Sequence, residues 1–239
     1  MSYDPSNSPS QTGYATGSAI DTGLQSYMRS VYNTMSLGLV VTGLTAFGVA
    51  STPALFNLIF HSPLGFIVML APLAFIWFGF TPARVAAMPS EKLKFIFVLF
   101  SATMGLSLAA IFIVYTGASI ARVFFITAGT FAATSLYGYT TKRDLTGLGS
   151  FMMMGLTGIF IAMLVNFIFH SAMVQFVVSV LGVVIFTGLT AWETQALKNT
   201  YNAGADESNA KLAIVGALNL YMSFINLFQF LLSFFGDRR

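Results

Sequence analysis

No cysteine occurs among the 239 residues, so the chain can hold no disulfide framework and no iron–sulfur cluster, and it has no thiol chemistry. Charge is nearly as scarce. Asp, Glu, Lys and Arg make up 8% of the residues, where a soluble domain carries about 25%. The formal net charge of +3 is scattered over connectors and forms no basic patch for nucleic acid. Only two histidines are present, His61 and His170, and both fall at predicted helix ends, where an interfacial imidazole needs no ligand. A phosphate-binding glycine loop and an H-E-x-x-H zinc motif are also missing. An intramembrane serine–histidine pair fails on distance: Ser150 and His170 lie on one predicted helix, about 30 Å apart at 1.5 Å per residue. A retinal Schiff base needs a lysine inside the last span, and Lys211 stands only at its start. These absences predict a protein that is not an enzyme, carries no cofactor and, if it transports anything, does so passively.

What the chain has instead is apolar length. Hydrophobic residues make up 56%, with 25 phenylalanines, and about 20 mainly apolar residues suffice for one crossing of the hydrocarbon layer. Seven stretches qualify: 31–51, 63–81, 93–115, 120–140, 147–169, 172–194 and 211–235. The pair around His170 and Ser171 reads as two helices with a tight turn, because 147–194 holds 48 residues, about twice one crossing. Residues 1–26 are polar, rich in Ser, Thr, Gly and Tyr, and lack the basic start and apolar core of a signal peptide. They are expected to form a disordered cytoplasmic tail, with the transmembrane domain spanning 27–239. The predicted architecture is all-α, a polytopic bundle of seven transmembrane helices.

Lysine and arginine set the orientation. Arg29, Arg84, Lys92, Lys94, Lys142, Arg143, Lys198 and Lys211 fall on the N-terminal side, against Arg122, Arg238 and Arg239 on the other, eight to three. The N-terminus is therefore expected in the cytoplasm and the C-terminus outside. Small residues at four-residue steps, Ser101, Gly105 and Ala109 in the third span and Ala128 and Ala132 in the fourth, predict tight packing. Met152–Met154 read as adaptable packing rather than a metal site.

Glu193, in the stretch T-A-W-E-T-Q-A-L-K-N-T-Y at 190–201, is the one carboxylate within an apolar run; the other seven acids lie in polar segments or beside other charges. An acid at membrane depth marks an ion or proton pathway or a compensated buried contact. The alternative is that it reaches the interface beside Trp192. In the last span Gly216, Asn219, Ser223, Asn226 and Ser233 recur at helical steps and define one polar face. That face either bonds to neighbouring helices or lines water or an ion, and in both cases the last helix belongs inside the bundle.

Three segments carry a family resemblance: Y-T-G-A-S-I-A at 115–121 with S-L-Y-G-Y-T-T-K-R-D-L at 135–145, W-E-T-Q-A-L-K at 192–198, and L-Y-M-S-F-I-N-L-F at 220–228. Together they resemble the bacterial branch of the Bax inhibitor 1 family, over residues 27–239. The resemblance implies two three-helix layers around a central seventh helix, in a bacterial cytoplasmic membrane. It implies a passive, pH-sensitive calcium leak in which an acid of helix six pairs with an acid of helix seven and an arginine late in helix two latches the first. Glu193 matches the helix-six acid and Arg84 is the latch candidate. Asn219 and Asn226 of the polar face are the other expected residues of the ion pathway. The second acid is replaced by Ser223, which removes the like-charge coupling between two carboxylates, so pH gating is expected to be weaker or displaced. Calcium prefers 6–8 oxygen ligands; one glutamate with amides and hydroxyls is at most a weak contact, as a leak requires. A second implied role is regulatory: relatives resemble modulators or substrates of the ATP-dependent membrane protease, and residues 1–26 would suit as a handle.

Overall fold

The computed structural model describes residues 12–239, with side chains from residue 22 onward. Ten helices follow in order: α1 (Thr12–Ala50), α2 (Pro53–Phe60), α3 (Leu64–Gly79), α4 (Pro82–Ala87), α5 (Ser90–Leu108), α6 (Ile111–Val114), α7 (Gly117–Thr140), α8 (Thr146–Phe169), α9 (Ala172–Thr200) and α10 (Asp206–Phe235). No strand occurs among the described residues beyond an isolated bridge between Tyr115 and Arg238. The boundary expected at residue 26 falls inside α1, whose Tyr27 and Met28 are already buried in the core. The first eleven residues, which hold much of the segment considered as a protease handle, lie outside the described residues.

Six helices are long and apolar enough to cross a membrane, with α5 and α6 together forming the span Ser90–Val114. The second expected crossing takes a different form. α2 and α3 meet at a bend of 81°, and α3 alone has 16 residues, about 24 Å of rise against a hydrocarbon core of about 30 Å. Pro72 stands inside α3, and because proline has no N–H it leaves the carbonyl four residues earlier without its helical donor. That carbonyl belongs to Val68, and the Ser107 hydroxyl of α5 donates to it at 2.7 Å. A neighbouring helix thus satisfies a backbone group that lipid could not.

The α8–α9 turn is as tight as the sequence suggests. His170 adopts the left-handed conformation that ends α8. The Asn166 side chain accepts from the Ser171 N–H at 2.8 Å, and Ser171 caps α9 through the Val174 N–H. Two of the connectors expected on opposite sides are likewise tied to opposite ends of α10. At its start, Glu207 accepts from both the amide and the hydroxyl of Ser90, capping α5, which has no side-chain cap of its own. At its end, Asp237 pairs with Arg122, and the Thr116 amide donates to the Asp237 carbonyl.

α10 is the axis of the bundle. Seventy-two per cent of its most apolar window is buried, against 11% for α8, and it packs on α9, α1, α7 and α5. Tyr221 is fully buried between the rings of Phe97 and Phe100 of α5, and its hydroxyl bonds to Thr42 of α1 at 2.6 Å. Thr42 in turn donates to the Ser101 carbonyl. Beside it Gly105 lets α5 approach α1 so closely that a Cβ would meet the Thr42 carbonyl oxygen at 2.6 Å. The small-residue row of the third span is therefore a contact row, as expected.

The row expected in the fourth span is not. Ala132 and Gly129 are exposed and Ala128 is half-buried. The packing face of α7 is Val123, Thr127, Phe131, Ser135 and Gly138. In lipid, alanine on the outside costs nothing, so small size alone does not mark the inner face. Gly138 is where α7 meets α9: an added Cβ would lie 2.1 Å from the Ala191 carbonyl oxygen, a backbone atom that cannot turn aside. Gly138→Ala is expected to lower stability by about 1–3 kcal/mol, read as a lower unfolding temperature in detergent. Gly129→Ala, on the same helix with no atom near the added Cβ, should leave that temperature unchanged.

Candidate functional site

α9 continues to Thr200, well beyond the expected end at 194, so Glu193 sits inside a helix rather than at its tip. The helix continues because nothing stops it: no Gly or Pro occurs between Leu189 and Thr200, and Ala191, Ala196 and Leu197 favour it. Successive residues on a helix point about 100° apart, so W-E-T-Q-A-L-K covers its whole circumference. Each long side chain of that run meets a different neighbour. Trp192 lies over Gly149 of α8, whose added Cβ would touch the indole at 2.4 Å. Glu193 accepts a hydrogen bond from the Ser223 hydroxyl of α10 at 2.8 Å. Thr194 bonds to Ser135 of α7 at 2.9 Å. Gln195 uses both ends of its amide on the α7–α8 connector, accepting from the Leu145 N–H and donating to the Arg143 carbonyl, each at 2.8 Å. Leu197 fills the notch at Gly216 of α10. Lys198 donates to the Tyr139 carbonyl at 3.0 Å and lies over its ring.

Glu193 is half-buried and Ser223 is buried. Among the described residues neither an ion pair nor a basic hydrogen-bond donor reaches the Glu193 carboxylate. Nearby runs a chain of hydroxyls. Thr194 spends its proton on the Thr190 carbonyl, so Ser135 must donate to Thr194 and Tyr32 to Ser135. A relay of three hydroxyls thereby links α1, α7 and α9 one residue from the carboxylate.

The structure brings together two of the five expected site residues, Glu193 and Ser223. Asn226 is half-buried and its amide donates to its own helix, at the Met222 carbonyl, 2.8 Å away. Asn219 is exposed. Most of the polar face expected on α10 meets α9: Gly216 at Leu197, Ser223 at Glu193 and Ser233 at Ser179, while Asn219 is exposed. Asn226 and Ser233 also line a cavity of about 400 Å³ with Asn166, Gln175 and Ser179. Ser233 accepts there from Ser179 at 3.3 Å. Arg84 does not latch Glu193 in this structure. It is exposed on α4, and its guanidinium makes no hydrogen bond or ion pair among the described residues. The bend between α2 and α3 and the short α4 carry it at the rim, where water solvates a guanidinium more cheaply than burial would. Among the described residues no cluster of three or more His, Asp or Glu side chains could hold a metal ion.

The family described as "Inhibitor of apoptosis-promoting Bax1" matches residues 24–239, essentially every described crossing. The chain belongs to the Bax inhibitor family. Relatives in the family include a Rickettsia prowazekii protein, 44% identical over 220 residues, covering 92% of each chain. Inner membrane protein YbhL of Escherichia coli is 46% identical over 221 residues, 91% of this chain and 94% of the relative. A Lactococcus lactis protein is 34% identical over 219 residues, 90% of this chain and 92% of the relative. This Bax inhibitor family chain is accordingly a multi-pass membrane protein, and its W-E-T-Q-A-L-K segment is the one that fastens α9 on every side.

Thr194 and Gln195 had no assigned role in the sequence. Their signal was present but local, a Thr-Gln pair beside the acid, and nothing in the linear chain says that residues 143–145 fold back onto it. Gln195→Ala should leave the Leu145 N–H and Arg143 carbonyl without partners and cost about 1–3 kcal/mol. Faster proteolysis between α7 and α8, together with a lower unfolding temperature, is the expected measurement.

Proposed function

We propose that the protein is a passive, pH-sensitive cation leak, with calcium as the transported ion, in a bacterial inner membrane. The observation that carries this reading is Glu193. It is a carboxylate with no cationic partner among the described residues, held part-way inside an apolar bundle and aimed at the buried central helix. A charged group so placed costs several kcal/mol unless it is neutralised or solvated, and a cation in transit or a proton would do either. One carboxylate with hydroxyls and amides binds calcium weakly, which favours passage over storage.

The proposed arrangement is seven crossings in two three-helix layers around α10. The bent α2–α3 pair counts as the second crossing in this reading: Tyr27 of α1 packs on Tyr201, on the side where Glu207 holds Ser90, which supports a return of the chain between Ala50 and Pro82. The N-terminus is cytoplasmic in this reading, following the excess of Lys and Arg on that side, and the name of the Escherichia coli relative supports the inner membrane. Arg84 would latch Glu193 only after α4 moves inward, making the unlatched form the one described above.

Calcium entry into proteoliposomes at neutral pH should fall when Glu193 is replaced by glutamine, while the family fold is retained. Flux equal to the parent's would remove Glu193 from the mechanism. The Ser223→Asp variant places a second carboxyl beside the first, on the side from which the Ser223 hydroxyl donates at 2.8 Å, and two such groups cannot both ionise cheaply. Its flux–pH curve should have a shifted midpoint relative to the parent; a superimposable curve counts against control of the pathway at this pair.

A further inference from the structure

Away from Glu193, a cleft of about 1070 Å³ opens between α1 and α7, with Phe224 of α10 as its floor. Its walls are apolar over most of their length: Met35, Leu39 and Leu44 on one side, Phe124, Phe131 and Leu136 on the other. The small residues Gly43, Ala128 and Ala132 widen it, which accounts for the alanine row of α7 that packs against no helix. The polar groups gather at one end, where Gln25, Arg29 and Tyr32 stand on α1 and Tyr139 on α7. Arg29 is exposed and forms no ion pair among the described residues. From Arg29 to Leu44 the helix rises about 22 Å, the reach of one extended long acyl chain lying along the bilayer normal.

An apolar cleft open to a bilayer does not stay empty, because unfilled walls lose dispersion contacts, and it does not hold water, which needs polar partners. Lipid is the solvent at hand. We propose that the α1–α7 cleft is a binding site for one anionic phospholipid, its phosphate on Arg29 and an acyl chain along the Met35–Leu44 wall. Charge complementarity selects the headgroup: basic residues at the mouth of a crevice between transmembrane helices favour anionic lipids, and guanidinium matches phosphate in geometry as well as charge. The occupant touches the outer side of the Tyr32–Ser135–Thr194 relay, since Tyr32 and Ser135 both line the cleft.

Native mass spectrometry of the purified full chain, titrated with phosphatidylglycerol or phosphatidylcholine of identical acyl chains, tests the site without any measurement of ion flux. The parent should retain phosphatidylglycerol several-fold better. Arg29→Gln should abolish that preference while leaving binding of phosphatidylcholine intact. Gly43→Leu puts a side chain into the cleft from a position where an added Cβ meets no atom within 4 Å, and it should lower retention of both lipids. Gly129→Leu, equally open but outside the cleft, should change neither. Equal retention of the two lipids by the parent, or retention unaffected by both Arg29→Gln and Gly43→Leu, overturns the proposal and leaves only annular lipid.

Discussion

Polar groups placed in a hydrocarbon solvent must find partners within the protein, and in this bundle many of those partners gather around α9. Glu193 is the most demanding group, and the Ser223 hydroxyl is the donor it is given. The contacts around the pair fix α9 in place: Leu197 seated at Gly216, Gly138 drawn against Ala191, Gln195 holding the connector that leads out of α7. None of these contacts is large in energy alone; a hydrogen bond between membrane helices averages about 0.6 kcal/mol. Their effect comes from direction, because one helix is fastened at four sides within two turns and cannot rotate the acid away from α10.

The same rule explains features that look unrelated. Pro72 frees the Val68 carbonyl, and Ser107 answers it. Tyr221 is buried among phenylalanines, and Thr42 takes its hydroxyl. α5 begins after a proline with no cap of its own, and Glu207 reaches across from α10 to supply one. Arg29 lies at an opening and Asn219 is exposed, while the Tyr27 hydroxyl is the exception, buried without a partner among the described residues. The outward faces are left to lipid, and Phe167, Ile168 and Phe169 of α8 are among the most exposed apolar side chains.

The Glu193–Ser223 contact joins α9 to α10 through geometry rather than charge. The hydroxyl reaches the carboxylate and holds the two helices together at that level. A serine carries no charge, so the pair lacks the mutual repulsion that couples the protonation of two neighbouring carboxylates.

Much of the bundle was legible from residue order alone. Six of the crossings follow from the length of apolar runs, because lipid thickness imposes that length. The tight α8–α9 turn follows from the same arithmetic, and the inner position of the last helix from its polar steps. Family membership was readable in three short segments. Tertiary structure alone decided which surfaces meet. In a soluble protein the apolar face is the buried face, but in a membrane the walls of a helix contact, a lipid-facing surface and an open cleft are equally apolar. Hydrophobicity therefore could not tell the α5 row that packs from the α7 row that lines a cleft. Nor could it show that Arg84 stays at the rim, or that Gln195 belongs to a connector fifty residues away in sequence.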